Sequence, residues 1–249
     1  MLDNPSFYMI AVPAVLLTGV SKGGFGGVAL LSVPLMSLVI SPLQAAGIML
    51  PLLIMMDALS IYAYRKKLSF DNLSVIVPGA VIGIGVGWLM AEYTSEDSVR
   101  LIVGIIAVVF TLYMVIFRRG SDGVPPHRLK GLFWGGCAGY TSYIAHAGSP
   151  PLQVYLLPQK MTKEVYASTT VMFFAIVNLI KAPPYILTGQ LSYENLMTAL
   201  VLSPCVPFGV YVGVRLNRVL PEGPFYKVVY AMTFLVGVKL IYDALSGWG

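Results

Sequence analysis

A glycine-rich break interrupts the apolar sequence near the start of the chain. It contains Ser21, Lys22, Gly23, Gly24, Phe25, Gly26 and Gly27. Backbone leaves helical geometry at membrane depth only where it is buried in protein or lines a polar cavity. A helix beginning near Gly27 would offer free amides and a positive dipole end to an anion, and Lys22 would add a full positive charge. The alternative is a plain interhelical loop, packed through its glycines, with Lys22 reaching to the surface.

A second break lies at the matching place in the other half of the chain. It contains His146, Ala147, Gly148, Ser149 and Pro150, followed by Pro151. Proline is favoured in the first turn of a helix, so a short helix is predicted to begin here with Ser149 at its cap. His146 either donates hydrogen bonds to an anion or is satisfied by a neighbouring carbonyl. Two helix N-termini that meet form a small polar site that prefers an anion.

Three polar residues lie inside long apolar segments. Asp57 and Asn178 are at matched positions, and Lys181 follows Asn178 by about one helical turn. An ionisable group at this depth is costly and indicates function by default. Asp57 is predicted either to pair with Lys22 or to carry a proton, and a purely structural ion pair is the alternative. We assign all three residues to support of the site or to coupling.

Composition predicts the elements that carry these residues. Of the 249 residues, 57% are hydrophobic and 11% are charged, with a mean hydropathy of +0.79, whereas about 25% of a soluble domain is charged. The apolar residues form about 8 to 10 segments, several of them as long as the roughly 20 residues that cross a bilayer. Runs such as Leu101 to Phe117 do not alternate as barrel strands do. We predict an all-α, polytopic membrane protein.

The chain divides into two similar halves, residues 1–117 and 131–249, joined by a polar cytoplasmic loop, 118–130. At an offset of 121 residues Ser21 aligns with Ser142 and Asp57 with Asn178, and after a small shift in the offset the loop run 68–73 recurs as 191–196. Each half has five apolar segments, of which the first two either span or re-enter the membrane. An odd number of crossings gives the halves opposite orientations. Inverted repeats are typical of secondary transporters, whose sites lie at the repeat interface.

The placement of charge predicts the orientation. Twelve of the sixteen Lys and Arg residues fall in loops on one face, whereas the other face is mostly acidic. Under the positive-inside rule the basic face is cytoplasmic and both termini are outside. The net charge of +5 comes without the long basic stripe that nucleic-acid binding requires, so no nucleic-acid partner is expected.

Other chemistry has little support in the sequence. Cys137 and Cys205 lie inside apolar runs and suggest neither a disulfide nor a metal site. Zinc-protease, P-loop and nucleophile-elbow motifs are missing, so we expect neither an enzyme nor a bound cofactor. A carrier driven by an existing gradient agrees best with the sequence. The alternatives are a passive channel and a membrane enzyme or assembly factor.

Taken together, the two breaks resemble those of the sulfite exporter TauE/SafE family of small bacterial and plant membrane proteins. The resemblance covers nearly the whole chain and rests on Lys22-Gly23-Gly24-Phe25-Gly26-Gly27 and on residues 146–151 with Tyr155-Leu156-Leu157-Pro158-Gln159-Lys160 after them. Many relatives have a third glycine in place of Ser149. The resemblance implies transport of a small sulfur-containing anion, such as sulfite, sulfoacetate or another organosulfonate.

These observations together predict a secondary transporter that exports such an anion across a bacterial inner membrane by alternating access. The expected anion contacts come from Lys22, His146 and the amides of both breaks. Proton- or sodium-coupled import and a passive channel are the alternatives. Besides the anion and the lipid bilayer no partner is predicted, and a monomer and a homodimer are both compatible with the sequence.

Overall fold

The computed structural model describes residues 5–25, 29, 32–36, 39–64, 67–93, 95–117 and 123–246. This part of the chain is helical, with connecting turns and no strand, which confirms the all-α prediction. A π-helical turn, Ser21–Phe25, continues the first helix. The α-helices are α1 (Pro5–Val20), α2 (Ser32–Met36), α3 (Pro42–Tyr64), α4 (Phe70–Met90), α5 (Glu96–Phe117), α6 (Arg128–Ala145), α7 (Ser149–Leu156), α8 (Lys163–Leu187), α9 (Tyr193–Leu202), α10 (Cys205–Val219) and α11 (Glu222–Ser246).

In the described part of the chain, six helical segments are long and apolar enough to cross a bilayer. They are Ser6–Gly23, Leu43–Tyr64, Phe70–Met90, Asp97–Ile116, Lys163–Leu187 and Glu222–Ser246. Large apolar side chains such as Ile82, Leu89 and Ile102 are exposed on the outside of this bundle, where lipid rather than water is the suitable solvent. The protein is therefore a multi-pass helical membrane protein.

The sequence is apolar from Leu196 to Leu216, a length that suits one membrane helix, but the structure is bent there. Helix α9 ends at Leu202 and α10 begins at Cys205, and their axes differ by 53°. Pro204 has no amide hydrogen and cannot continue the α-helical ladder. The backbone tightens here, and the Ser203 amide donates to Leu200 O at 3.2 Å, three residues back. The two helices together form a bent seventh candidate span.

Glycines allow two pairs of helices to cross at close range. In the contact between α4 and α6, a Cβ added to Gly83 would lie 2.0 Å from the Gly136 carbonyl oxygen. In the contact between α1 and α10, a Cβ added to Gly213 would lie 2.3 Å from the Val20 carbonyl oxygen. Small residues at such crossings are the usual basis of helix packing in lipid, because the apolar helix surfaces gain little from leaving an apolar solvent.

A matched pair of glycines in α4 provides a test of this packing. Gly83→Ala should destabilise the protein by about 1–3 kcal/mol, because the methyl group collides with backbone. Gly85→Ala should be neutral or slightly stabilising, because a Cβ there meets no atom within 4 Å and alanine favours the helix. Thermal unfolding of the purified protein measures both changes. Equal effects of the two substitutions would contradict the close crossing.

Helices α3 and α8 lie side by side and run in opposite directions. At one end, the Ser168 hydroxyl donates to Lys67 O at 2.7 Å. At the other end, a Cβ added to Gly47 would lie 2.3 Å from Gln190 O. The end where α8 begins is here called the basic end, because the segments that meet there carry Lys67, Arg128, Lys130, Lys160, Lys163 and Arg218.

Helices α6 and α7 form a hairpin that enters and leaves at the basic end. The His127 amide, just before α6, donates to the Tyr155 hydroxyl of α7 at 3.3 Å. The eight residues of α7 extend about 12 Å, far less than the roughly 30 Å of a bilayer core. This segment of the second half therefore re-enters rather than spans.

The first half returns to its starting face in the same way. Helix α1 runs parallel to α10, since Gly19 contacts Gly209 and Gly23 contacts Gly213. Helix α10 ends at the basic end, where Lys163 Nζ donates to Leu220 O at 2.5 Å. Both α1 and α3 therefore begin at the opposite end of the bundle.

Candidate functional site

Each break ends a helix in the interior of the bundle, although by different local geometry. The first break is the π-helical turn, which widens the end of α1 around Lys22. The second follows α6, where His146 adopts the left-handed conformation with φ +50° and its amide donates to Thr141 O. Glycine or asparagine is usual at such a position, and a histidine costs about 1–3 kcal/mol there. Backbone strain of this kind is typical of functional sites.

The first break supplies a buried ion pair. Lys22 Nζ donates to Asp57 Oδ1 at 2.6 Å, and Asn178 Nδ2 donates to Asp57 Oδ2 at 2.7 Å. Asp57 and Asn178 are both 2% exposed, and Lys22 is 8% exposed. Both carboxylate oxygens are thus occupied, and the two positions matched by the 121-residue offset contact each other directly. The predicted pairing of Asp57 with Lys22 is present in the structure.

The second break supplies a separate cationic cluster around Lys181 of α8. Lys181 Nζ lies 3.1 Å from Ser142 O, 3.3 Å from Ser142 Oγ and 3.4 Å from His146 Nδ1. None of these three partner atoms belongs to a carboxylate. The distances to Ser142 Oγ and His146 Nδ1 exceed the usual hydrogen-bond range of about 2.7–3.2 Å. Among the described residues no carboxylate forms an ion pair with Lys181, which is fully buried.

The hydrogen bonds around His146 define one consistent arrangement. As an ammonium, Lys181 has no lone pair, so it donates to His146 Nδ1 and the ring hydrogen is assigned to Nε2. Nε2 then donates to the Tyr185 hydroxyl at 2.9 Å, and that hydroxyl donates to Tyr143 O at 3.3 Å. The neutral imidazole is thereby fixed between α8 and the end of α6, and it adds no charge to the cluster.

A cavity of about 50 Å³ lies between the two breaks. Its lining residues on α8 include Thr170 and Lys181, which are about 10 and 27 Å along a helix about 37 Å long. The cavity is therefore near the middle of the bundle. Its lining residues are Ser21, Lys22, Ala29, Ser32, Leu53, Ser142, His146, Ser149, Thr170, Val171, Phe174, Asn178 and Lys181.

The described wall of the cavity carries cations and neutral donors but no carboxylate. Asp57 lies behind Lys22 and Asn178 and neutralises the first of the two lysines. The Phe174 ring adds a cation–π contact to Lys22, with Nζ 5.3 Å from the ring centroid. Lys181 also faces the cavity, and among the described residues no carboxylate lies within ion-pair distance of its ammonium group, although the charge of Asp57 acts on it at longer range. A buried charge in this situation is stabilised by an anion.

Six of the residues predicted for the site line this cavity. They are Ser21, Lys22, His146, Ser149, Asn178 and Lys181. The sequence assigned Lys181 only a supporting role, whereas Lys22 was the predicted cation for the anion. In the structure Lys22 is paired with Asp57, and Lys181 provides the unpaired charge.

The other predicted residues of the first break shape its backbone. Gly23 packs on α10, where a Cβ would lie 2.2 Å from Gly213 C, and its carbonyl accepts a hydrogen bond from Tyr64. Gly24 and Phe25 lie in the π-helical turn. Gly26 and Gly27, with the helix predicted to begin there, lie outside the described residues.

The other predicted residues of the second break are buried behind the cavity wall. Ala147 packs against an apolar cluster that includes Val103 and Leu240. A Cβ on Gly148 would lie 2.6 Å from Ala138 O. Gly148, rather than Ser149, is the cap of α7, and Pro150 is in the first turn. Because Pro150 and Pro151 have no amide hydrogen, this turn offers fewer free donors than the predicted helix N-terminus.

Several lining residues were missed in the sequence. Ser142 aligns with Ser21, and Phe174 aligns with Leu53, at the same offset of 121 that relates Asp57 to Asn178. The repeat therefore contained the signal that identifies these residues. Thr170 corresponds to Met49 and Ser32 to Gln153, neither of which lines the cavity, so the repeat does not identify these two residues.

The comparison with known families agrees with the resemblance in the two breaks. The family model described as Sulfite exporter TauE/SafE matches residues 11–240. No curated protein and no solved structure matches the chain. Because the matched region takes in both breaks and every described residue that lines the cavity, the chain belongs to the sulfite exporter TauE/SafE family.

Proposed function

We propose that this protein is a secondary transporter that exports a small sulfur-containing anion, and that the anion binds in the central cavity against Lys181. The observation that carries the proposal is the fully buried Lys181, which faces a cavity of neutral donors without a carboxylate partner among the described residues. An anion between the breaks would accept charge-assisted hydrogen bonds from Lys181 and donate none, which suits a wall rich in hydroxyl groups.

The size of the cavity favours sulfite over larger organosulfonates. On a scale where about 10–15 Å³ admits one water, a cavity of about 50 Å³ holds a ligand of a few heavy atoms. Sulfite has four. Sulfoacetate would require the walls to separate, and we rank it second for this reason.

We propose alternating access by two inverted halves. Two pairs of repeat-related helices support the inversion: α3 runs antiparallel to α8, and α5 antiparallel to α11, where Gly104 lies against Ile241 and Gly237 against Ala107. The contact of α1 with α10 likewise corresponds to that of α6 with α4. A site between such halves is exposed to either face when one half rocks against the other.

We propose that the protein lies in a bacterial cell membrane with its basic end in the cytoplasm and both termini outside. The concentration of Lys and Arg at one end of the bundle supports this orientation. Outward movement of one net negative charge then gains about 2.3 kcal/mol per 100 mV of interior-negative potential. Export needs no coupling ion under these conditions, and the full occupation of both Asp57 oxygens favours a supporting role for that residue over proton carriage.

Counterflow in proteoliposomes tests the proposed function. Vesicles loaded with unlabelled sulfite should transiently accumulate labelled sulfite from outside, and an imposed voltage should drive net flux without a pH gradient. Flux without counterflow would indicate a channel. Flux that ignores voltage and requires a proton or sodium gradient would indicate coupled import instead.

A further inference from the structure

The central cavity has a polar side that the anion site does not use. Thr170 lies on the cavity wall toward the basic end, is 7% exposed, and its hydroxyl has no hydrogen-bond partner. A buried hydroxyl without a partner costs about 1–3 kcal/mol. In helices a threonine hydroxyl ordinarily bonds to a carbonyl one turn back, and the Thr170 hydroxyl does not.

Two more unpartnered groups continue from Thr170 toward the basic end. Tyr166, one turn closer to the start of α8, is 1% exposed, and its hydroxyl faces the side chains of Thr170 and Gln153. Gln153 Oε1 accepts from the Thr233 hydroxyl at 2.5 Å. The Tyr166 hydroxyl and Gln153 Nε2 have no hydrogen-bond partner. Three polar groups that can donate therefore face one another between α7 and α8, and none of them forms a hydrogen bond of ordinary geometry in this conformation.

The corresponding side of the first half lacks these groups. At the 121-residue offset, Tyr166 corresponds to Ala45 and Thr170 to Met49, and both of these are fully buried apolar residues. Gln153 corresponds to Ser32, whose hydroxyl is already engaged with Ala29 O at 2.5 Å. At these three matched positions the first half therefore offers no free donor.

We propose that Thr170, Tyr166 and Gln153 line the passage through which the anion moves between the central cavity and the basic end. The proposal rests on the proposed function and names the route that serves the same site. Hydroxyl and amide groups can donate hydrogen bonds to the oxygens of an anion. Without a carboxylate beside them they bind a cation poorly. For an exporter this passage is the entrance.

Tyr166 closes the passage in this conformation. Its ring makes edge contacts with Phe225 and Tyr226 of α11, with ring centroids 6.1 and 5.7 Å apart. The passage opens when the start of α8 separates from α11. The Tyr166 hydroxyl can then donate a hydrogen bond to the anion as it moves between solvent and Thr170.

Cysteine labelling with a matched control tests the route. In a background in which Cys137 and Cys205 are replaced by Ala, and which still transports sulfite, Thr170→Cys should react with an anionic, membrane-impermeant methanethiosulfonate added at the basic face. Met49→Cys, its repeat counterpart, should react at least about 10-fold more slowly from either face. Sulfite should protect Thr170→Cys. Equal rates for the two cysteines, or reaction of Thr170→Cys only from the opposite face, would overturn the proposal.

Kinetics of Tyr166→Phe separate the passage from the central site. The variant should slow sulfite transport about 10-fold, through loss of one hydrogen bond to a charged ligand, while equilibrium sulfite binding stays within about 2-fold of the wild type. Unchanged transport would refute the passage and leave the proposed function intact. If the wild-type protein neither binds nor transports sulfite, the proposed function itself fails.

Discussion

Lys181→Met should abolish sulfite binding and leave the fold intact. Removing a buried cation from a charge-assisted hydrogen bond costs about 2–5 kcal/mol, or about 30-fold to several thousand-fold in Kd. Without ligand, the Lys181→Met variant should be at least as stable as the wild type. Lys181 is buried and forms no ion pair with a described carboxylate, and removing such a charge is neutral or stabilising. Calorimetric titration of the purified protein with sulfite and thermal unfolding measure the two effects.

Lys239→Met is the matched control for this substitution. Lys239 is also a helix lysine, but its side chain is 46% exposed and is paired with Asp243 four residues away. Its replacement should leave sulfite affinity unchanged. If Lys181→Met binds sulfite as tightly as the Lys239→Met control, the anion does not contact Lys181, and the assignment of the unpaired charge to the substrate is wrong.

Breaking the Lys22–Asp57 pair should destabilise the protein more than removing both of its charges. Lys22→Met leaves the Asp57 carboxylate buried with only Asn178 as its partner, and Asp57→Asn leaves the Lys22 ammonium buried and unpaired. Loss of one partner of a buried pair costs about 3–5 kcal/mol. The double variant Lys22→Met/Asp57→Asn buries no isolated charge and should recover most of this loss. Thermal unfolding of the three variants measures the coupling.

The surface pair provides the comparison. Lys239 and Asp243 form an ion pair on α11 with a half-exposed lysine, and such pairs contribute at most about 1 kcal/mol. Single and double replacements there should change stability little. Additive losses at Lys22 and Asp57, with the double variant the least stable of the three, would mean that the two side chains stabilise the protein independently.

The sequence pattern predicted the long helices and, within the site, the correspondence of Asp57 with Asn178. The apolar segments Leu43 to Tyr64 and Val165 to Leu187 agree closely with α3 and α8, because a run of this length with a single charged residue has little alternative to a membrane helix. The repeat offset placed Asp57 opposite Asn178, and the two side chains form a hydrogen bond. A duplicated pair of this kind meets when its two helices cross near the middle of the bundle.

The remaining features depend on packing that local sequence does not encode. Pro78 and Pro204 are followed by glycines at the same spacing, Gly83 and Gly87 in the first half and Gly209 and Gly213 in the second. Yet α4 continues through Pro78, whereas the second segment bends at Pro204. Lys181 and Lys22 are both lysines in apolar surroundings, and only the three-dimensional contacts reveal which of them has a carboxylate partner. In the sequence, nothing distinguishes Tyr166 and Thr170 from the other residues of an apolar helix. Their missing hydrogen bonds emerge only when α7 and α11 are in place.

Locating a bound anion tests most directly whether the substrate binds in the central cavity against Lys181. Selenite is the heavier analogue of sulfite, and its selenium can be placed by anomalous diffraction from crystals of the protein soaked or grown with it. We expect one selenium per chain in the cavity between the two breaks, about 4 Å from Lys181 Nζ, the separation given by a charge-assisted hydrogen bond to a selenite oxygen. An empty cavity, with selenium found only on the outer surface, would contradict this expectation.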